Sequence, residues 1–414
     1  MTGPLVSGAG TRGPATHGAG THGAGTGPWE PLAGPVHLPV RVGPPNNLSD
    51  GHLTGLTSVF RHVMWRDAAG FRLAFANWHN DGGREADPPN PITVSAAVRS
   101  ERGTEVSVRF AGATRIRIAP GGSVVSDAVP LALPRGALLV SRVSVTVGPG
   151  EVIPLGPQTD GAGGMEGVTF RAGVPLDRVP ANTAYGYAPW AVLGETGVGD
   201  GAGGPAARAV GLIVGDSNGA GYGDVRGAAC HRGWVSRAFD GRIGYLNISL
   251  SGATVQGTLS PEGMRRRLAL AAYVRPSFVI AALGTNDLQG GGVSGAAMAD
   301  RLVAHWRRLA ARGQIVHACT IPPVTSSDDG WTSEEGQLPD AGWRERAEVN
   351  AWIRTVPEPL TGVIDVAAAV ESGRRPAVWK RGYTADGVHM NATGHAAVAA
   401  VVAGWLPTAA GERP

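Results

Sequence analysis

The 414 residues carry 43% hydrophobic and 17% charged side chains, which suits a globular chain with room for two domains. A formal charge of +3 is too small to argue for nucleic acid or an anionic membrane as a partner. No uninterrupted apolar run of about 18 residues occurs, so no membrane-spanning helix is predicted.

Residues 1–35 are low complexity, with GAGT recurring at Gly8–Thr11, Gly18–Thr21 and Gly23–Thr26. Such a segment has too little apolar surface to offset its ordering entropy, and it is expected to be a flexible tail. It opens without the basic start and apolar core of a secretory signal. His17 and His22 belong to the repeat rather than to a metal site.

Residues 36–180 change to short strands broken by Gly, Pro and Asn, predicted at Phe71–His79, Ile92–Ser100, Glu105–Ala111, Arg115–Ala119 and Ala137–Val147. Apolar residues alternating with Arg, Ser and Thr fit sheets with one buried face. Without helical patterns between them, these strands predict an antiparallel β-sandwich of jelly-roll type. Trp65, Trp78 and His79 would form either a sugar-stacking platform or part of the sandwich core, and the core is the better reading.

Residues 181–205, rich in Gly, Ala and Pro, are expected to be a linker. From 206 to 408 the rhythm is strand then helix. Strands are predicted at Ala209–Gly215, Ile243–Ser249, Phe278–Leu283, Ile315–Thr320 and Val363–Val366. Helices are predicted at Arg232–Phe239, Pro261–Tyr273, Gly295–Arg312, Trp343–Thr355 and Asn391–Trp405. This is the pattern of an α/β domain, a parallel sheet covered on both faces. Cys230 and Cys319 supply no disulfide framework, and nothing favours their pairing over two buried thiols.

The apolar run Val210–Val214 stops abruptly at Gly215-Asp216-Ser217. That places one hydroxyl at the carboxyl edge of the sheet, where open α/β folds keep their sites. Alone, the turn would equally be a helix cap. Three further stretches fall at the same edge. Asn247–Thr254 (NISLSGAT) ends the second strand near Gly252, whose N–H can approach a ligand closely, and Ala282–Asp287 (ALGTND) ends the third at Asn286. Thr384–Asn391 (TADGVHMN) carries Asp386 and His389 three residues apart. Together they supply a serine esterase. Ser217 is the nucleophile, His389 its base and Asp386 the group that fixes the imidazole tautomer. The N–H groups of Ser217 and Gly252 and the side chain of Asn286 are the oxyanion donors.

These blocks resemble the SGNH (GDSL-type) hydrolases. GDSN at Gly215–Asn218, then Gly252, GTND at Gly284–Asp287 and DGVH at Asp386–His389 stand in the family's order between Ala206 and Trp405. The resemblance implies a flavodoxin-like three-layer fold and ester hydrolysis with neither metal nor cofactor, with Ser217, Gly252, Asn286 and His389 in the roles above. Asn218 stands where many lipolytic members have leucine, a departure expected to bear little on mechanism. The β-rich region is similar to sandwich domains that precede this catalytic domain in some bacterial esterases. Since every motif lies beyond Pro205, the hydrolase part is expected to fold without the sandwich.

Other chemistries fit less well. GAGYGD at Gly219–Asp224 has no Walker lysine after it and lacks the dinucleotide spacing. His389 and His395 with Asp386 read better as a base plus a helix-face histidine than as a metal site. His231, His305 and His317 are read as structural, and Asn350 is left without a role. The rim loops Gln289–Gly295 and Val324–Gly342 are glycine-rich or acidic and supply no apolar lid. The expected substrate is therefore a short-chain ester, acetyl foremost, of a small molecule or carbohydrate. Trp331, Trp343 and Trp379 are candidate sugar-stacking residues, with packing an equal alternative. The same acyl-enzyme would serve an O-acyltransferase. From another class comes a carbohydrate-binding or surface-assembly module with secondary hydrolase activity.

Overall fold

The structure, a computed structural model, describes residues 29–34, 48–156, 158–159, 161, 166–195, 209–224, 232–272, 274 and 276–409. In the C-terminal part, strands Val210–Gly215, Gly244–Asn247, Phe278–Ala282, Ile315–Cys319 and Gly362–Ile364 form one parallel sheet. Their spatial order is second, first, third, fourth, fifth. This is the flavodoxin-like doubly wound order, whose switch point lies beside the first strand. The strands are predicted to within a residue or two because they are mostly apolar runs, the first three of them buried almost throughout.

Helices cover both faces. Arg265–Ala271, Gly295–Ala310 and Trp343–Ile353 contribute to one core, and Gly233–Phe239, Val366–Val370 and Ala392–Ala409 to the other. Gly295–Ala310 shows why: Ser294 caps it through Ala297 N–H, and Met298, Leu302, His305, Trp306 and Leu309 recur at helical spacing on its buried side. Val255–Leu259, Thr285–Leu288 and Val366–Val370 are too short for such a period to show, and the sequence does not predict them.

The N-terminal strands form an antiparallel ladder. It runs through Val106–Ser107, Ile92–Ser100, Leu138–Thr146, Gly55–Met64, Trp29–Gly34, Ala191–Glu195, Arg72–Ala76 and Ser123–Val125. Leu73 and Phe75 near one end share a core with Val94 and Val143 near the other, so the ladder closes into a sandwich. Two strands fall outside the expected boundaries. Trp29–Gly34 lies in the stretch read as tail, and Ala191–Glu195 in the stretch read as linker; they pair with each other. Phe71–His79 is not one strand. It breaks after Ala76, and His79–Asp81 turns back on Arg84–Ala86 as a separate hairpin. The GAGT repeats, His17, His22, Cys230 and His231 lie outside the described residues, while Cys319 is a buried free thiol.

The two parts share apolar packing. Trp78, Trp190, Ala191 and Leu193 of the sandwich belong to the same cluster as Leu212 and Leu246 of the parallel sheet and Ile248 and Leu250 just after its second strand. Trp78 packs edge-on against Trp190 at 4.9 Å between ring centroids, which makes it core rather than platform. The hydrolase part therefore shares part of its core with the sandwich, and a fragment expected to fold independently would expose that seam.

Candidate active site

Ser217 follows the central strand Val210–Gly215 directly, and the next residues wind into turns closed by Ala220 N–H to Asp216 O and Tyr222 N–H to Ser217 O. The strand order sets Gly252, after the second strand, on one side of the serine and Asn286, after the third, on the other. The fourth block arrives from far along the chain. Asp386 Oδ1 accepts the N–H groups of Val388 and His389, and Thr384 Oγ1 accepts those of Asp386 and Gly387. These local bonds curl the loop so that residues three apart meet.

His389 Nδ1 lies 2.7 Å from Asp386 Oδ2, and its Nε2 lies 2.9 Å from Ser217 Oγ. A carboxylate only accepts, so Nδ1 carries the proton and Nε2 is free to accept from the serine hydroxyl. Partial burial opposes ionisation of Asp386, but the bonds from the His389 ring and from the N–H groups of His389 and Val388 outweigh it and hold the carboxyl at about 2. The arrangement can therefore take the Ser217 proton and stabilise the resulting imidazolium. Asn286 Nδ2 donates to Ala253 O (3.0 Å), and Asp287 accepts from Val255 and Gln256 N–H, so the third block is tied to the loop carrying Gly252.

Several residues take roles at the site that the sequence did not assign them. Asn218, expected to matter little, brackets His389: its Nδ2 donates to Val388 O (3.2 Å) and its Oδ1 accepts Met390 N–H (3.0 Å). Tyr222 sets its ring edge-on to the imidazole, with centroids 4.2 Å apart. His395, buried, bonds Tyr222 O and Trp234 N–H, so it supports this wall and is no ligand partner of His389. Asp216, buried behind the serine, accepts Asn218 N–H; burial pushes its carboxyl up to about 6. Asn350 holds both backbone polar groups of Ile321.

The three tryptophans part company. Trp379 is fully buried and donates from Nε1 to Gly387 O, so it underpins the histidine loop and offers no stacking face. Packing wins there because the ring is enclosed by the core beneath the last helix. Trp331 is half-buried beside Gly387, its Nε1 bonded to Thr325 Oγ1. Trp343, also half-buried, borders a small cleft with Thr285, Ile321, Pro322 and Val324.

Serine, histidine and carboxylate thus stand in hydrogen-bonded series at the switch point of a doubly wound sheet. Residues 213–397 match the GDSL-like Lipase/Acylhydrolase family, and this part of the chain is a GDSL-like acylhydrolase domain, a carboxylic ester hydrolase by class. No curated protein matches the chain. Similar solved structures include a Corynascus thermopiles (Myceliophthora fergusii) carbohydrate esterase family 2 enzyme with a carbohydrate binding domain. It is 16% identical with a TM-score of 0.38, over 90% of this chain and 98% of that one. Est24, a carbohydrate acetylesterase from Sinorhizobium meliloti, is 17% identical with a TM-score of 0.35, over 48% of this chain and 99% of that one. TesA is 25% identical with a TM-score of 0.32, over 48% and 97%.

Proposed function

We propose that the protein hydrolyses short-chain acyl esters, acetyl esters foremost, of soluble hydroxylated compounds such as carbohydrates, through an acyl-enzyme on Ser217. The observation that carries this reading is the continuous series Asp386–His389–Ser217, with spacings of 2.7 and 2.9 Å. Ser217 Oγ attacks the ester carbonyl as His389 Nε2 takes its proton. The N–H groups of Ser217 and Gly252 and the Asn286 amide hold the oxyanion, and the protonated His389 returns the proton to the departing alkoxide. Water, deprotonated by the same ring, then releases the acid and restores the serine.

The rim supports a short acyl group: beside the histidine loop lies the short hairpin of Thr325–Ser327 and Gln337–Pro339, mostly polar apart from Leu338, with Trp331 and Trp343 as stacking surfaces for a sugar. Steady-state hydrolysis of p-nitrophenyl esters of graded length tests the reading. The maximum in kcat/KM is expected at two to about four carbons, since a long apolar channel would gain about 0.8 kcal/mol per added methylene. Ser217→Ala is expected to fold and to lose at least about 10³-fold in kcat. A maximum at about eight carbons or more would overturn the short-chain assignment, and activity above about a tenth of wild type in Ser217→Ala would overturn the nucleophile.

A further inference from the structure

Besides the apolar seam, the sandwich reaches the hydrolase through the hairpin formed by His79–Asp81 and Arg84–Ala86. Its two-residue tip is Gly82-Gly83, both with positive φ (55° and 88°), as a tight two-residue hairpin turn of this kind requires. The tip rests on the loop Ser251-Gly252-Ala253. Asn80, itself buried, donates from Nδ2 to Ser251 O (2.9 Å), while its Oδ1 accepts Gly83 N–H (2.8 Å). Gly83 and Gly252 meet backbone to backbone: a Cβ added to Gly83 would lie 2.1 Å from Gly252 O and 2.7 Å from Ala253 N. At the hairpin's return strand, Glu85 is enclosed. It accepts the N–H groups of Arg266 and Arg267 and pairs at 2.7 Å with the fully buried Arg267 guanidinium, which also donates to Ile248 O.

We propose that this hairpin, through Asn80 and Gly83, aims the Gly252 N–H at the reacting carbonyl. The inference rests on the reading of Gly252 as an oxyanion donor. Ser251 C=O and Gly252 N–H belong to one planar trans peptide and point in opposite directions. Asn80 fixes the carbonyl, so it fixes the direction of the N–H. Gly83 then seats the following carbonyl, and the buried Glu85–Arg267 pair anchors the hairpin to the chain just before the loop. Asn80 and Gly83 are positioning residues supplied by the part of the chain that carries none of the hydrolase motifs.

The test compares four variants of the full chain in p-nitrophenyl acetate hydrolysis, each with a thermal melt. Asn80→Ala and Gly83→Ala are expected to lower kcat by about 10- to 100-fold, less than the loss of a donor outright because the N–H is displaced rather than removed, with KM within about threefold. Gly82→Ala is the control: it bears the same left-handed strain at the same tip, but its Cβ meets nothing within 4 Å, and its kcat is expected to stay near wild type. Asn286→Ala reports whether oxyanion donors matter in this enzyme at all, with an expected loss of about 10²-fold or more. A folded Asn80→Ala with wild-type kcat, beside a crippled Asn286→Ala, overturns the hairpin's role and leaves the proposed mechanism standing. An active Asn286→Ala together with active hairpin variants overturns the oxyanion assignment itself. If Gly83→Ala fails to fold, the kcat and KM of Asn80→Ala decide the matter, a loss confined to kcat supporting the proposal and an unchanged kcat overturning it.

Discussion

Asn218→Leu introduces the leucine that many lipolytic members of the resembled family carry and, by the geometry of this site, should cripple the enzyme. Asn218 is 5% exposed and holds the chain on both sides of His389, through Val388 O and Met390 N–H. Leucine fills a similar volume but offers neither donor nor acceptor. Each backbone group left unpaired in a buried setting costs about 1–3 kcal/mol, so the folded state loses about 2–6 kcal/mol unless the loop shifts to find new partners. A shift of the order of 1 Å would relieve that cost while moving His389 Nε2 off Ser217 Oγ, and misplacement on that scale costs about 10²-fold in rate. The variant is therefore expected to melt lower and to lose about 10- to 100-fold in kcat on p-nitrophenyl acetate, with KM little changed. Asn218→Asp keeps the acceptor for Met390 and should lose less stability on that side. A leucine variant with wild-type kcat and melting temperature would refute the clamp.

Acid should destabilise the fold. Burial lowers His62 and His395 to about 4 and His305 to about 3, against 6.5 for a free histidine. The unfolded chain therefore binds protons first, and the stability these rings contribute is complete above about 6.5 and lost as pH falls toward 4. Asp216, raised by burial to about 6, acts the other way, gaining stability as pH falls through 6 toward 3.8, and so does Asp287, but the lowered histidines, which also include His317 at about 4 and His79, outnumber the two. Calorimetry should show the melting temperature falling between pH 7 and 4.5, and a flat or rising curve would contradict the burial of these rings. A chain begun at Ala206 removes Trp78, Trp190 and Leu193 from the shared cluster and uncovers strand Gly244–Asn247, against which Trp29–Gly34 lies. It is expected to aggregate on expression, and a soluble, cooperatively melting fragment in size-exclusion chromatography and calorimetry would show the seam to be dispensable.

What the sequence revealed follows from the range of the forces involved. The parallel strands are legible because a strand buried on both faces must be apolar throughout. The four blocks are legible because ester chemistry needs a few residue types at the ends of those strands. Gly55–Met64, the longest sandwich strand, is not legible. Its Thr57, Ser58 and His62 are buried and satisfied by distant partners, Thr57 by Arg171 O, Ser58 by Tyr187 N–H and His62 by Ser141, so polar letters stand where alternation promises exposure. Trp29–Gly34 has no period of its own and becomes a strand because Ala191–Glu195 offers it an edge. Trp379 is close to the histidine loop in sequence, which says nothing of whether its ring turns outward. The Asn80–Ser251 contact spans 171 positions, and local pattern cannot reveal it.

The apolar seam between the two parts also bears on descent. Trp190 and Leu193 complete a core whose other members include Leu246, Ile248 and Leu250, residues that lead into the Gly252 loop. A substitution on the sandwich side is therefore felt by the hydrolase as a change in its own packing, and compensation has to arise across the seam. Lineages should change these residues in concert. A chimera joined near residue 205 from two diverged parents would inherit mismatched halves of one core. The unit that recombination can exchange intact is the pair of domains together.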